Sequence, residues 1–181
     1  MRIVGGAWRG RGLVAPAGLG TRPTAERVRQ AVFDRLMHAP WGGRAVVEGA
    51  VVLDAFAGSG AMGLEALSRG AGRAVFMERE RGALAALRAN VAACGAEGRC
   101  RVVAGDVMRA RAGEACGVVF LDPPYGAGLV APAVLALRGA GWVSEGALLV
   151  VETGVDEAVP DAGEVLASFT AGAAGVTVFR S

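Results

Sequence analysis

Between residues 51 and 67 the chain runs from Val51-Val52-Leu53 through Asp54-Ala55-Phe56-Ala57 into Gly58-Ser59-Gly60-Ala61-Met62-Gly63, and leaves through Leu64-Glu65-Ala66-Leu67. An apolar run closed by three glycines and followed by good helix formers reads as a strand, a tight turn and a helix. Glycines at 58, 60 and 63 permit positive φ, let a ligand approach backbone N–H groups and let the helix pack closely on the strand. Such a loop suits a nucleotide-type cofactor. The same spacing occurs in nicotinamide-binding proteins, so the loop alone leaves the cofactor open. Glu78, about 20 residues beyond the first glycine, lies where a carboxylate would accept the hydroxyls of a ribose.

From residue 51 the pattern alternates regularly. Strands are predicted at 51–56, 74–78, 101–105, 117–122 and 147–152, separated by helical segments near 60–70, 80–94 and 127–138. Repeated βα units imply a parallel sheet with helices on both faces. Two further strands, near 164–170 and 176–180, are joined across Ala171-Gly172-Ala173-Ala174-Gly175, a connection so short that the pair must be antiparallel. The fold class is therefore α/β. In open sheets of this kind ligands lie beyond the carboxyl ends of the strands. Asp54, Glu78, Asp106 and Asp122 all fall at predicted strand ends, so one topology gathers four scattered acids along a single rim.

The run Val118-Val119-Phe120-Leu121 stops at Asp122-Pro123-Pro124-Tyr125. Each proline fixes its own φ and lacks an N–H, so the strand cannot continue. The Asp122 carboxylate and the carbonyls of Asp122 and Pro123 are held as acceptors, while Tyr125 offers a flat face to an extruded base. Acceptors beside a stacking face suit an exocyclic NH2. A tight turn that merely ends a strand is the alternative for the tetrapeptide taken alone.

Charge is distributed unevenly. All nineteen basic residues are arginine; residues 1–44 carry a net +6 and residues 45–181 a net −4. A basic arm joined to an acidic body is the electrostatic footprint of a phosphate backbone. Two units are thus expected: a basic arm and helix over 1–44, and a catalytic body over 45–181. Residues 1–20, rich in Gly and Arg with Ile3, Leu13 and Val14 alternating, suggest a short hairpin. Thr24 can cap a helix whose apolar face is Val28, Val32 and Leu36 with Ala31 alongside, placing Arg22, Arg27 and Arg29 near its start and on its polar sides. Trp41 and Gly42-Gly43 mark the junction.

Cys94, Cys100 and Cys116 lack C-x-x-C spacing and His38 is the sole histidine, which points to reduced structural thiols and against a metal site or a His-based triad. No apolar stretch reaches membrane-spanning length and the amino terminus has no signal-peptide core, so the expectation is a cytoplasmic enzyme without a membrane partner. A monomer is the default, because the predicted helices cover both sheet faces.

With these motifs the chain resembles the class I S-adenosylmethionine-dependent methyltransferases, and more narrowly the bacterial RsmD family. The motifs are Asp54-Ala-Phe-Ala-Gly-Ser-Gly60, Gly63-Leu-Glu-Ala-Leu-Ser-Arg69, Asp122-Pro-Pro-Tyr125, Arg2-Ile-Val-Gly-Gly6, Trp8-Arg-Gly-Arg11, and Thr21-Arg-Pro-Thr24 followed by Arg27-Val-Arg29. The amino-terminal set is the family-specific part. The resemblance implies five parallel strands plus a carboxy-terminal antiparallel hairpin in a seven-stranded Rossmann-like sheet. It implies methyl transfer from S-adenosylmethionine to the exocyclic N2 of a guanine in 16S rRNA, at the position conventionally numbered 966. The partner would be 16S rRNA, the small ribosomal subunit or its assembly intermediate.

By the same resemblance Asp54, Phe56, Gly58, Ser59 and Gly60 belong to the cofactor site, the backbone from Gly58 to Gly60 holding the methionine part. Glu78 would hold the ribose, and Asp106 the adenine amine with Val107 beside it, although Asp106 could instead cap the following helix. Asp122, Pro123, Pro124 and Tyr125 form the acceptor site, and Arg2, Trp8, Arg9, Arg11, Arg22, Arg27 and Arg29 face RNA. The join Gly42–Ala50 looks longer than usual for the family, and the terminal hairpin is poor in aromatic residues. Rival readings are an N6-adenine DNA methyltransferase, which could use the same Asp-Pro-Pro-Tyr, a noncatalytic cofactor-binding RNA chaperone, and a nicotinamide dehydrogenase.

Overall fold

A computed structural model describes residues 1–16 and 23–181, with the side chains of residues 23 and 24 outside the description. Seven strands form one sheet: β1 (Val51–Ala55), β2 (Arg73–Glu78), β3 (Cys100–Ala104), β4 (Cys116–Leu121), β5 (Val143–Gly154), β6 (Glu164–Ala171) and β7 (Ala174–Arg180). Their spatial order is β3-β2-β1-β4-β5-β7-β6. The first five run parallel, and β7 pairs antiparallel with both β5 and β6. This is the class I methyltransferase arrangement that the alternating pattern and the terminal hairpin predict. Val52, Leu53, Asp54 and Ala55 are all buried, because a central parallel strand is covered on both faces and so loses the polar–apolar alternation of a half-exposed one.

The helices divide between the faces. Against one face lie α1 (Pro23–His38), α2 (Arg44–Val47), α3 (Ala61–Ser68) and α4 (Arg81–Ala93), packing Val32, Phe33, Leu64 and Leu87 onto Phe76, Phe120 and Val150. Against the other lies α5 (Val130–Gly139), whose Ala133, Val134 and Leu137 meet Leu53, Val119, Leu149 and Trp142. Trp142 is a core residue, 2 % exposed, its indole N–H donating to the Arg111 carbonyl at 2.8 Å. No helix among the described residues is long and apolar enough to cross a membrane.

Boundaries shift where backbone chemistry demands it. The predicted helix from 127 starts instead at Val130, since Gly126 and Gly128 adopt φ of 70° and 62°, outside the helical region. The terminal hairpin is tighter than the five-residue join suggested: Ala171 pairs with Ala174, leaving a two-residue turn with Gly172 at φ 66°. A positive φ at the first turn residue is the requirement of a type II′ turn, which glycine meets without strain. β5 begins earlier than expected and takes up the extra length in a register shift between Cys116 and Val118. Helix α1 starts at Pro23, so Thr24 stands in its first turn rather than at its N-cap; Arg22 lies outside the described residues.

The arm shares the core of the body. Residues 1–13 fold back on themselves, with an antiparallel bridge between Arg2 and Gly12 and a tight turn over Gly6–Trp8. Ile3 and Leu13 join the same buried cluster as Phe76 and Phe120. Glu65 of α3, 0 % exposed, fastens the arm by accepting the N–H groups of Val4 and Gly5, both at 2.8 Å. The same carboxylate pairs with Arg69 at 2.8 Å and with Arg29 at 3.2 Å. Arg29 is therefore not on a polar side of α1 facing RNA. It is 2 % exposed and also donates to the Arg2 carbonyl, because a fully buried carboxylate needs a countercharge within reach.

Candidate functional site

At the carboxyl ends of the parallel strands opens a cleft of about 760 Å³, within the range of small-molecule sites. Its walls include the glycine loop, the end of β2, the turn after β3, the Asp122–Tyr125 segment and Glu152. Ala25 and Val28 of α1 close it from the side of the arm.

The glycine loop divides its labour. Gly58, at φ 54°, has open space where a Cβ would stand, so its backbone can be approached from the cleft. Gly60, at φ 78°, and Gly63 turn inward, where a Cβ would strike Leu87 and the Phe76 ring respectively. Ser59 is buried and its carbonyl accepts from the Asn90 amide at 2.9 Å, tying the loop to α4. Phe56 lines the cleft at φ 66°, the one non-glycine among the described residues with positive φ. Such a conformation costs of the order of 1–3 kcal/mol and persists only where the surroundings hold it.

Asp54 does not form part of the cleft wall. It is 3 % exposed and accepts the Gly63 N–H at 2.9 Å, so it positions the first turn of α3 from behind. Burial lifts its pKa to about 7, opposed by the Gly63 hydrogen bond, with Glu78 raising it further and Arg29 lowering it. An acid whose folded pKa lies above its unfolded value binds more protons when folded, so its contribution to stability is present at low pH and lost as pH rises through the folded pKa. Relative to an Asp54→Asn variant, the unliganded protein is expected to lose up to about 1.4 kcal/mol per pH unit between about pH 4 and about pH 7. Urea denaturation across that range measures it; parallel curves for the two proteins would count against a raised Asp54.

Glu78 and Asp106 do reach the cleft. Glu78 accepts three backbone N–H groups, from Gly58, Arg79 and Glu80, each at 2.7 Å. It thereby clamps the glycine loop to the end of β2 while keeping part of its acceptor capacity, since a carboxylate has about four lone-pair sites. Asp106 caps the short turn Val107–Arg109, accepting from the Met108 N–H at 2.9 Å, and pairs with Arg79 at 3.2 Å. The capping role foreseen for it is thus real, and it lies on the cleft wall beside buried Val107 as well. An open glycine backbone and two carboxylates lining one cavity fit a cofactor that carries a nucleoside and an amino-acid tail.

Asp122, Pro123, Pro124 and Tyr125 line the same cleft. A fifth acid that sequence reading passed over joins them. Leu121 of β4 pairs with Val151 of β5, so Asp122 and Glu152 follow at the same level on neighbouring parallel strands and project to the same face. The rule that picked out four acids at strand ends would have found Glu152 at the end of the predicted 147–152 strand. The phenol of Tyr125, a residue 48 % exposed, donates to Glu152 Oε1. Glu157 braces the same segment, accepting from Gly126 at 3.1 Å and Gly154 at 3.2 Å. Asp122 is open to the cleft, yet confinement among its neighbours pushes its pKa upward, reinforced by Glu152 and then Asp54. Burial likewise raises Glu152, with the Tyr125 hydrogen bond acting in the opposite direction.

On the arm, Arg2, Arg9, Arg11 and Arg27 are exposed. Arg11 donates to the Ala93 carbonyl at 2.7 Å and Arg2 pairs with Glu26 at 3.4 Å. Trp8 is half-buried, its backbone N–H held by Ser68 Oγ at 2.9 Å and its ring 5.1 Å from the Arg99 guanidinium.

The family model described as "Conserved hypothetical protein 95" matches residues 1–181. The chain is 43% identical over 162 residues to "Ribosomal RNA small subunit methyltransferase D" of Escherichia coli (strain K12), covering 88% of this chain and 78% of that one. The protein of the same name from Haemophilus influenzae is 35% identical over 163 residues, covering 87% and 80%. Among solved structures, yhhF from Escherichia coli superposes with a TM-score of 0.83 at 38% identity, over 99% of this chain and 97% of that one.

Proposed function

The chain belongs to the conserved hypothetical protein 95 family, and from that premise we propose that it transfers a methyl group from S-adenosylmethionine to the exocyclic N2 of a guanine in 16S rRNA. The observation that carries this reading is the single cleft joining an open glycine backbone at Gly58 and the carboxylates of Glu78 and Asp106 to the acceptor segment Asp122–Tyr125. The relatives named as methylating small-subunit ribosomal RNA support the substrate class.

In this reading Gly58 and its neighbours hold the methionine part of the cofactor, Glu78 the ribose hydroxyls, and Asp106 with Val107 the adenine. When bound, S-adenosylmethionine supplies a methyl group on a positively charged sulfur. The residues of the Asp122–Tyr125 segment do the rest. The nitrogen of a guanine amine is a poor nucleophile, because its lone pair is delocalised into the ring. Accepting its two hydrogens at the Asp122 carboxylate and the Pro123 carbonyl draws that lone pair out of conjugation and aims it along the cleft. Orientation of this kind can contribute as much as about 7–11 kcal/mol in well-placed intramolecular reactions. Tyr125 stacks on the extruded base, and Asp122, its proton affinity raised by its setting, is placed to hold the proton that the nitrogen sheds. No covalent enzyme intermediate is required. Arg2, Trp8, Arg9, Arg11 and Arg27 on the arm engage the phosphate backbone around the target.

Transfer of labelled methyl to small subunits that lack native methylation, with free rRNA and adenine-containing duplex DNA alongside, tests the proposal by nucleoside analysis. Label as N2-methylguanosine is the expected result. Label confined to N6-methyladenine would move the activity to DNA, and no transfer to any of the three despite cofactor binding would sink the reading.

A further inference from the structure

Two carboxylates, not one, stand at the acceptor end, and the Asp-Pro-Pro-Tyr segment accounts for only one of them. Resting on the functional reading above, we propose that Glu152 is the specificity-determining residue that reads the ring nitrogen next to the target amine and so selects guanine over adenine. Glu152 lies on the next strand at the level of Asp122, lines the same cleft, and is held there by the Tyr125 phenol. The phenol occupies one acceptor position of a carboxylate that has about four.

The chemistry of the two bases then decides. A guanine presents N1–H beside its N2 amine, a row of donors. An adenine presents the bare N1 lone pair beside its N6 amine, a donor next to an acceptor. Asp122 and the Pro123 carbonyl take the amine in either case, which is why the tetrapeptide alone does not distinguish them. A second carboxylate alongside meets a donor in guanine and a lone pair in adenine, and facing acceptors in a confined site cost the desolvation of both without return. The repulsion that Glu152 exerts on Asp122 is relieved when both carboxylates meet a base edge made of donors.

The experiment compares the acceptor RNA carrying guanosine with the same RNA carrying 2-aminopurine at the target. 2-Aminopurine keeps the N2 amine but has a lone pair at N1. For the unaltered enzyme, kcat/KM for guanosine is expected to exceed that for 2-aminopurine by ~10²-fold or more, as for sites built around a hydrogen bond the analogue lacks. Glu152→Gln, whose amide can donate to that lone pair, should narrow the ratio at least ~10-fold, a change of about 1.4 kcal/mol. Glu152→Asp should keep the preference for guanosine, and Tyr125→Phe should lower turnover while leaving the ratio near that of the unaltered enzyme. Methylation of guanosine with a ratio unmoved by Glu152→Gln overturns this inference alone. A ratio that Tyr125→Phe shifts as far as Glu152→Gln does also overturns it, since Glu152 would then act only by holding the ring. Absence of guanosine methylation by the unaltered enzyme overturns the functional reading and this inference with it.

Discussion

Replacing Asp122 by alanine is expected to lower turnover by about 10²–10³-fold, the scale seen when one preorganised polar contact to the reacting group is removed, while the dissociation constant for S-adenosylmethionine changes by no more than about 3-fold. The asymmetry follows from position. Asp122 sits after the last residue of β4, in the wall formed by Asp122–Tyr125 rather than in the glycine loop or at the end of β2. In the proposed mechanism its carboxylate meets the acceptor amine, and the contacts assigned to the cofactor are made by other strand ends. Asp122→Asn keeps one acceptor oxygen for the amine but loses the charge and the capacity to take its proton, so its loss should be smaller than that of alanine. Single-turnover kinetics with calorimetric titration of the cofactor separate the two quantities. Equal losses in turnover and in cofactor affinity would show that Asp122 belongs to the cofactor site instead.

Glu65→Ala should cost about 3–5 kcal/mol of stability, the range for removing one partner of a buried ion pair. Glu65 is completely buried and serves four donors: the N–H groups of Val4 and Gly5 and the guanidinium groups of Arg29 and Arg69. Truncation leaves Arg29, itself 2 % exposed, as an uncompensated charge and strips the arm of two of its backbone anchors. Against a total stability of about 5–15 kcal/mol for an ordinary domain, that is a large fraction. The arm should also become susceptible to proteolysis near Gly5 and Gly6 before the body unfolds. Replacing both partners with apolar side chains, Glu65→Leu with Arg29→Met, should recover part of the loss, because the penalty lies in the stranded charge more than in the lost attraction. A cost below about 1 kcal/mol for Glu65→Ala in urea denaturation, within the span of ordinary surface changes, would mean that burial of Ile3 and Leu13 and the remaining hydrogen bonds of the arm hold it without Glu65.

These two residues mark what was legible in the chain and what was not. Asp122 stands out in the sequence because Asp-Pro-Pro-Tyr breaks a strand in a way nothing else does; proline acts through its own backbone, so the signal is local. The same holds for Gly58, Gly60 and Gly63 and for the five βα strands, whose apolar runs and turn residues are set by neighbours a few positions away. Glu65 carried no such signal. Within Gly63–Arg69 it reads as an ordinary helical acid, and its partners Val4, Gly5 and Arg29 lie 61, 60 and 36 residues away in the chain.

The amino-acid sequence by itself determined the α/β architecture, the terminal hairpin, the glycine loop and the strand-ending Asp-Pro-Pro-Tyr, because each is written in short-range stereochemistry. Only the tertiary structure decided which charges are buried and which face solvent. It withdrew Arg29 from the basic surface, set Asp54 behind the glycine loop rather than in the cleft wall, and brought Glu152 level with Asp122. Burial and register depend on which strands and helices become neighbours, and that follows from packing the whole chain around one core.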